Sequence, residues 1–507
     1  MSVQLGKLCS VILLEHFGEI VQTVGYDLFK WGSKPLQFIV NSTRLKFQQV
    51  TRALSVLVQY GLVTFCEGSV PNKAEYTLLP ERVLLLLRYP KYILLMKTRY
   101  GNEAEILVEE ILRKGQDTAS AVILRASERL KNTTEAGNVE LTTIRDKFAT
   151  LATKQFLMRC PNPVEEKAVP TLTIKERELF LPPELNLKAL TELQKGENAD
   201  PGDKGIYWRV NLDRFHQDFR DDIMISSMTR RFDEDVGELM RVILQQMYLR
   251  TEPWASVSNP VPFTELRDTI KKLNSHPLLI QYLDQYLKVM EEDSSCFVSK
   301  VGDSAGGQYS VNIKYAFLEL TWTTVENIVL ERFGSKAARI FRLIRAKKYV
   351  EQEQIQQIAM IPAKEAKLLT YKLLEENFIQ MKELRKSLTA GPNKTFFLFY
   401  IKIDQVARMV IEICYKALYN ALTRREHEQK ENCRLIEKHQ RIESITLSMR
   451  AQGIAAEQIT EIEDMITPPE LTLLEKVKSM IKRLSDAEMQ LDDTVFMLQL
   501  FLNYHNL

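Results

Sequence analysis

The chain has 507 residues, enough for several buried cores and, at roughly 100–200 residues per domain, for three to five domains. Hydrophobic residues make up 45% and charged residues 26%, ordinary values for a soluble folded protein. The net charge of +2, from 68 basic and 66 acidic residues, excludes a histone-like coat, so any nucleic-acid surface is a local patch. Six cysteines (Cys9, Cys66, Cys160, Cys296, Cys414 and Cys433) stand no closer than nineteen residues apart. That spacing argues against zinc ribbons and dithiol chemistry and fits a reducing compartment.

In chain order, "MSVQLGKLCSVILLEHFGEI" has apolar residues at helical spacing interrupted by Glu15, His16 and Glu19, unlike a signal peptide. Helices are predicted over Val3–Phe17, Glu19–Lys30, Pro35–Asn41 and Lys46–Gly61. The last has Val50, Leu54, Leu57 and Val58 on one face. "LVTFC" and "AEYTL" follow as strands, joined by a turn with Gly68, Pro71 and Asn72. The apolar run Val83–Met96 is broken by Arg88, Pro90 and Lys91, and is too short and too charged to span a bilayer. A second unit has helices in "NEAEILVEEILRKG", "TASAVILRASERL" and "LTTIRDKFATLATKQ", then the strand "FLMRC". A proline-rich stretch ending in "KGENADPGDKG" reads as a linker that docks partly on a neighbour. The third unit opens near "YWRVNLDRFHQDF". It ends in the helix "QYLDQYLKVMEED" and the strands "CFVSK" and "QYSVNI" around "GDSAGG". In the fourth, "SKAARIFRLIRAKK", "EQEQIQQIAM" and "AKEAKLLTYKLLEENF" are helices, and "FIQM" and "TFFLFYI" are strands about Gly391, Pro392 and Asn393.

Helix–helix–helix–hairpin, repeated, is the order of a winged helix, a relative of the helix-turn-helix. The expected fold is mainly α with small β-hairpins: four tandem winged helices over 1–80, 81–162, 205–325 and 326–403, a linker over 163–204 and a coiled coil over 404–507. In that tail Leu474, Val477, Ile481, Leu484, Leu491, Val495, Leu498 and Leu502 alternate at spacings of three and four, with Glu488 as the exception. Leu435, Ile442, Ile445 and Met449 form a matching seam. "MITPPE" breaks the chain between the two helices, so an antiparallel hairpin is predicted, with dimerisation through either helix as the alternative.

Catalytic signatures are missing. No phosphate loop, H-E-x-x-H or G-x-S-x-G occurs, and "GDSAGG", which superficially resembles a serine-protease loop, reads as a hairpin turn. The six histidines are dispersed, and His216 reads as structural. The expectation is no catalytic residue, no cofactor and no metal.

Long strings carry a resemblance: "KLCSVILLEHFGEIV", "LLRYPKYI", "GIYWRVNLDRFHQDFRD", "RFGSKAARIFRL", "MIPAKEAK" and "EDMIT". From Lys7 to about Leu500 the chain resembles the winged-helix, third-largest subunits of RNA polymerase III, a family related to the alpha subunit of general transcription factor E. It lacks the long Lys/Arg-rich insert that some members carry within Pro161–Gly205. The resemblance implies four extended winged helices plus a coiled coil, and a non-catalytic nuclear subunit. It further implies a trimer with two other polymerase-III-specific subunits, mounted on the clamp side of the polymerase core. That trimer helps recruit the TATA-box initiation factor and open promoter DNA for transfer RNA and 5S ribosomal RNA synthesis.

Glu326–Lys402 holds fifteen Lys/Arg against eight Glu and no Asp. Arg332, Lys336 and Arg339 are spaced to share a helical face, with Arg342, Arg345, Lys347 and Lys348 beside it. The third helix adds Lys364, Lys367 and Lys372. In the first unit Arg44, Lys46 and Arg52 accompany Gln48 and Gln49; in the second Arg145, Lys147 and Lys154 stand near Asp146. Phosphate contact, contact with an acidic partner and plain solvation all fit this pattern. No set of side chains suits bidentate base reading, so DNA contact is expected to be weak and sequence-independent. Two further function classes fit the pattern: a free-standing DNA-binding regulator, or a winged-helix scaffold of another large complex.

Overall fold

The computed structural model describes residues 2–68, 72–133, 140–164, 169–197, 199–273, 276–385, 395–451, 462 and 465–506. Two compact units divide the chain. One holds residues 1–216 and 415–492, the other 217–414 and 493–507.

The first unit contains two winged helices. In the first of them, helices Val3–Phe17, Glu19–Trp31, Leu36–Thr43 and Phe47–Gln59 enclose Leu8, Ile12, Val24, Leu28, Ile39, Val50 and Leu57, all essentially without exposed surface. Their apolar residues recur every three to four positions, so each helix hides one stripe and solvates the rest. Ala74–Leu78 lies between Val63–Glu67 and Lys34–Pro35 in a three-stranded antiparallel sheet, with Val63 opposite Leu78 and Phe65 opposite Tyr76. At the turn, the Gly68 amide donates to the Lys73 carbonyl at 2.9 Å and Asn72 takes φ +66°. Pro71 lies outside the described residues.

The second winged helix is built from Asn102–Lys114, Ala119–Thr133 and Leu141–Thr153. Its sheet differs from the expected hairpin. Leu157–Arg159 pairs with Tyr207–Val210, which also pairs with Asp117–Thr118. The strand that sequence grouping gave to the third winged helix therefore completes the wing of the second, and Trp208 is fully buried there with its ring at 5.4 Å from that of Phe148. Residues 163–204, expected as an inter-domain linker, lie inside that wing connection. They carry the helix Leu187–Gln194 and dock. Leu190 is fully buried, and Asp203 accepts from the Ser120 amide at 2.7 Å and the Ser120 hydroxyl at 3.1 Å. A strand partner so distant in sequence leaves no local turn signal, which is why the pairing was not legible. The same unit holds a buried ion pair. Arg88 Nε donates to both Asp492 oxygens at 2.8 and 3.0 Å, and Lys91 Nζ reaches Asp492 at 3.3 Å.

The second unit holds the other two winged helices. Helices Glu234–Met247, Phe263–Leu273 and Leu283–Glu292 precede a sheet in which Gln308–Val311 lies between Val298–Gly302 and Val261–Pro262. "GDSAGG" is the turn of that hairpin, with Gly306 and Gly307 at φ +84° and +120°. The last winged helix follows: Ile313–Phe333, Ser335–Lys347, Gln352–Ala359, Ala363–Glu375, then the antiparallel strands Gln380–Arg385 and Thr395–Tyr400. The expected turn at Gly391, Pro392 and Asn393 lies outside the described residues. Helix Ile313–Phe333 runs across the 325/326 position where the third winged helix was expected to end. Arg220, with no exposed surface, is held by Asp221 at 2.8 Å and by the Tyr248 and Tyr504 hydroxyls, each at 2.9 Å. Full pairing is what makes a buried guanidinium tolerable. Among the described residues no helix is long and apolar enough to cross a membrane.

Candidate functional site

The basic segment of the fourth winged helix is not one helical face. Helix Ile313–Phe333 ends at Gly334, whose φ of +86° is the left-handed conformation that favours glycine, and whose amide donates to the Leu330 carbonyl at 3.0 Å. Arg332 therefore sits on one helix, and Lys336 and Arg339 on the next. Ala337, Ile340, Phe341 and Ile344 supply the core side of Ser335–Lys347.

Five of its cations are already engaged. Arg332 pairs with Glu376 at 3.1 Å, Lys336 with Glu365 at 2.6 Å and Arg345 with Glu319 at 2.6 Å, while Arg342 pairs with Glu326. Arg339 donates to the Ala359 carbonyl at 3.1 Å, and Arg345 also lies over the Trp322 ring at 4.9 Å. Such part-exposed pairs are each worth about 0–1 kcal/mol, so phosphate could displace them, but every displacement strands a carboxylate near the new anion. Lys347, Lys348, Lys364 and Lys367 are exposed and have no ion pair among the described residues.

The third helix of this domain, Ala363–Glu375, buries Ala366, Thr370 and Leu373. Its outward side carries Lys364 and Lys367, as expected, and also Leu368, 67% exposed, and Tyr371, 46% exposed. Sequence reasoning assigned those two apolar residues no role. At a period of 3.6 a leucine beside a lysine counts as core until the opposite stripe is known to suffice.

The first winged helix presents freer charge. Arg44 takes the left-handed conformation, φ 56°, at the turn between Leu36–Thr43 and Phe47–Gln59. Lys46, Gln48 and Arg52 project from the next helix, and Arg44, Lys46 and Arg52 have no ion pair among the described residues. Gln49, expected beside them, turns back so that its side chain accepts from the Lys46 amide at 3.3 Å and caps the helix. Exposed aromatics stand on the same domain: Trp31 at 63%, with Lys30 and Lys34 at 5.1 and 5.4 Å from its ring, Phe38 at 64% and Phe47 at 57%. In the second winged helix Arg145 binds its neighbour Asp146 at 2.7 Å.

The expected coiled-coil seam is divided. Helix Pro468–Asn506 turns back on Ile403–Glu431 and Cys433–Ala451. Lys438 binds Glu470 at 2.8 Å and Lys478 approaches His439 at 3.4 Å, which fixes an antiparallel hairpin within the chain. Leu474 and Val477 are buried in it; Ile481, Leu484 and Leu491 are half-buried. Glu488, the exception in the seam, accepts from Arg425 at 2.9 Å, and Arg425 also binds Glu15 at 2.9 Å. Burial raises the Glu488 carboxyl, with Arg425 opposing. Val495, Leu498 and Leu502 belong instead to the second unit, where Tyr504 stacks on Phe317 at 5.9 Å. Heptad spacing cannot distinguish a coiled-coil seam from a helix entering a globular core. The two prolines of "MITPPE" do not merely interrupt the hairpin: they occupy the first turn of its second helix, where proline lacks no needed donor.

Four family models match this chain. They are described as the RNA polymerase III subunit RPC82 helix-turn-helix domain, over residues 7–68, and RNA polymerase III subunit RPC82, over 165–320. The others are the C-terminal winged-helix domain of POLR3C, over 325–401, and the helical hairpin domain of DNA-directed RNA polymerase III subunit RPC3, over 434–497. The chain is 40% identical to the DNA-directed RNA polymerase III subunit RPC3 of Homo sapiens, with 98% of each chain covered. It is 36% identical to that of Danio rerio, with 99% of each covered. The subunit rpc3 of Dictyostelium discoideum is 24% identical over 58% of this chain and 43% of its own length.

Proposed function

We propose a role that starts from one premise: this chain belongs to the RPC3 family of DNA-directed RNA polymerase III subunits. It is thus a subunit working within the polymerase III complex of the nuclear transcription machinery. Within it the chain acts as a non-catalytic structural and initiation subunit in the nucleus. It assembles with two other polymerase-III-specific subunits into a trimer on the clamp side. That trimer supports recruitment of the TATA-box initiation factor, opening of promoter DNA and synthesis of small RNAs. The observation that carries the reading is the match over 98% of both chains. Direct DNA contact is weak and sequence-independent. It belongs to the first winged helix, where Arg44, Lys46 and Arg52 are not committed to carboxylates, with Lys347 and Lys348 as further cations, while Lys364 and Lys367 are left for a partner. The winged helices serve otherwise as protein-docking modules.

A tagged pull-down from nuclear extract at rising salt, read by mass spectrometry, tests this. Two partner subunits retained at high salt, after the polymerase core has left, is the expected result. A lone homodimer with no polymerase subunit at any salt overturns it and favours a free-standing regulator.

A further inference from the structure

We propose that the outward face of helix Ala363–Glu375 docks an acidic, amphipathic segment of a partner protein and does not lie in a DNA groove. In helix-turn-helix proteins this helix is the one that enters the major groove. Here Lys364, Lys367, Leu368 and Tyr371 fall at i, i+3, i+4 and i+7, one continuous stripe opposite the buried Ala366, Thr370 and Leu373. The two hydrophobic members, Leu368 and Tyr371, are 67% and 46% exposed. At the end of the preceding helix Ile358 and Met360 add 50% and 86% exposed apolar side chains.

A groove-reading helix offers Arg, Asn or Gln to base edges, and the groove returns little for leucine beyond a thymine methyl. Clustered exposed hydrophobic residues mark a protein interface instead, and an amphipathic helix laid along such a stripe is a recurring mode of recognition. Charge selects the partner. Glu365, Glu376 and Glu326 are each held by a basic residue of the same domain, so Lys364 and Lys367 flank the apolar stripe uncompensated. Among described residues of the stripe the exposed carboxylate is Glu375, a full turn past Tyr371. The complement is a segment with acidic residues bordering an apolar ridge.

This deepens the reading of the winged helices as docking modules in the polymerase, so the test begins from polymerase that has already co-purified with the chain. A photo-crosslinking phenylalanine derivative is placed at Leu368 of the full chain, and the adducts are sequenced by mass spectrometry. The expected adduct is a protein segment with Asp or Glu around apolar residues. Lys364→Glu with Lys367→Glu should cut its yield by about tenfold, as loss of a complementary charge pair does. Adducts to promoter DNA, adducts to a basic segment, or no adduct at all overturn the docking proposal while leaving the co-purification intact. Failure to co-purify would instead overturn the polymerase reading, before any crosslink is formed.

Discussion

Leu57 has no exposed surface and faces Val50 and Leu54 of its own helix from inside the first winged helix. Truncating it to Ala removes buried methyl groups and leaves a cavity, so Leu57→Ala should cost about 2–5 kcal/mol of the first unit's stability in urea melts. A loss under about 1 kcal/mol would mean the helix can rotate another side chain into the gap. His216 makes a second claim at this scale. Its Nε2 lies 2.9 Å from the Tyr92 hydroxyl, and burial, with Arg88 nearby, pushes the imidazole down from 6.5 to about 3. The folded state thus resists a proton that the unfolded chain accepts. The sign follows: the contribution is intact above the unfolded value of 6.5 and is lost as pH falls from there toward about 3. The limiting slope is about 1.4 kcal/mol per pH unit. His216→Gln should flatten that acid limb, and an unchanged limb would assign acid sensitivity to other groups.

Helices decide how far a basic sequence is a basic surface. From sequence Arg339 and Arg342 fit phosphate contact, an acidic partner or plain solvation alike; in the fold one donates to a carbonyl and the other pairs with Glu326. Each phosphate contact on duplex DNA contributes about 0.9 to the slope of log affinity against log salt. Neutralising Lys46 and Arg52 together should therefore flatten the slope by nearly 2 units, and neutralising Arg339 and Arg342 by less than about 1. The reverse order, measured by fluorescence anisotropy on one duplex, would return the DNA face to the fourth winged helix. These elements also show what was legible. Helix existence and type were readable because apolar residues repeat at 3.6 through Lys46–Gly61 and Ser335–Lys347. The division of Arg332 from Lys336 was written in Gly334, but a glycine inside a helical pattern announces a break only when its φ is known. Leu368 stayed hidden because its exposure depends on the rest of the domain filling its own core. Gln49 was expected beside Gln48, and its residue type alone does not announce that it caps the helix instead.

At the scale of the whole chain, the pattern of tandem winged helices was visible because the same order of helices and strands recurs. What joins them was not visible, because it depends on contacts distant in sequence: Tyr207–Val210 completing the wing begun at Leu157, some fifty residues earlier, and Asp492 meeting Arg88, 404 residues away. The C-terminal helices raised the same question in its sharpest form, since a heptad seam serves an internal hairpin and a dimer equally well. Lys438 opposite Glu470 and Arg425 opposite Glu488 settle the polarity: the later residue of one helix meets the earlier residue of the other within one chain. Cysteines replacing Lys438 and Glu470 should then be bridged by a short bis-maleimide crosslinker that leaves the chain monomeric on a denaturing gel, at any protein concentration. A parallel homodimer would place Lys438 beside its own copy and Glu470 far from it, and would yield a covalent dimer from the Lys438→Cys single variant. The second unit supplies the reason to expect the first outcome. It takes up Val495, Leu498 and Leu502, so only the part of the long helix between Glu470 and Leu491 is left to pair as a hairpin. Those roughly three heptads are interrupted by Glu488, and Arg425 from the same chain answers that carboxylate. A partner chain would have to match it with an arginine already bound to Glu15.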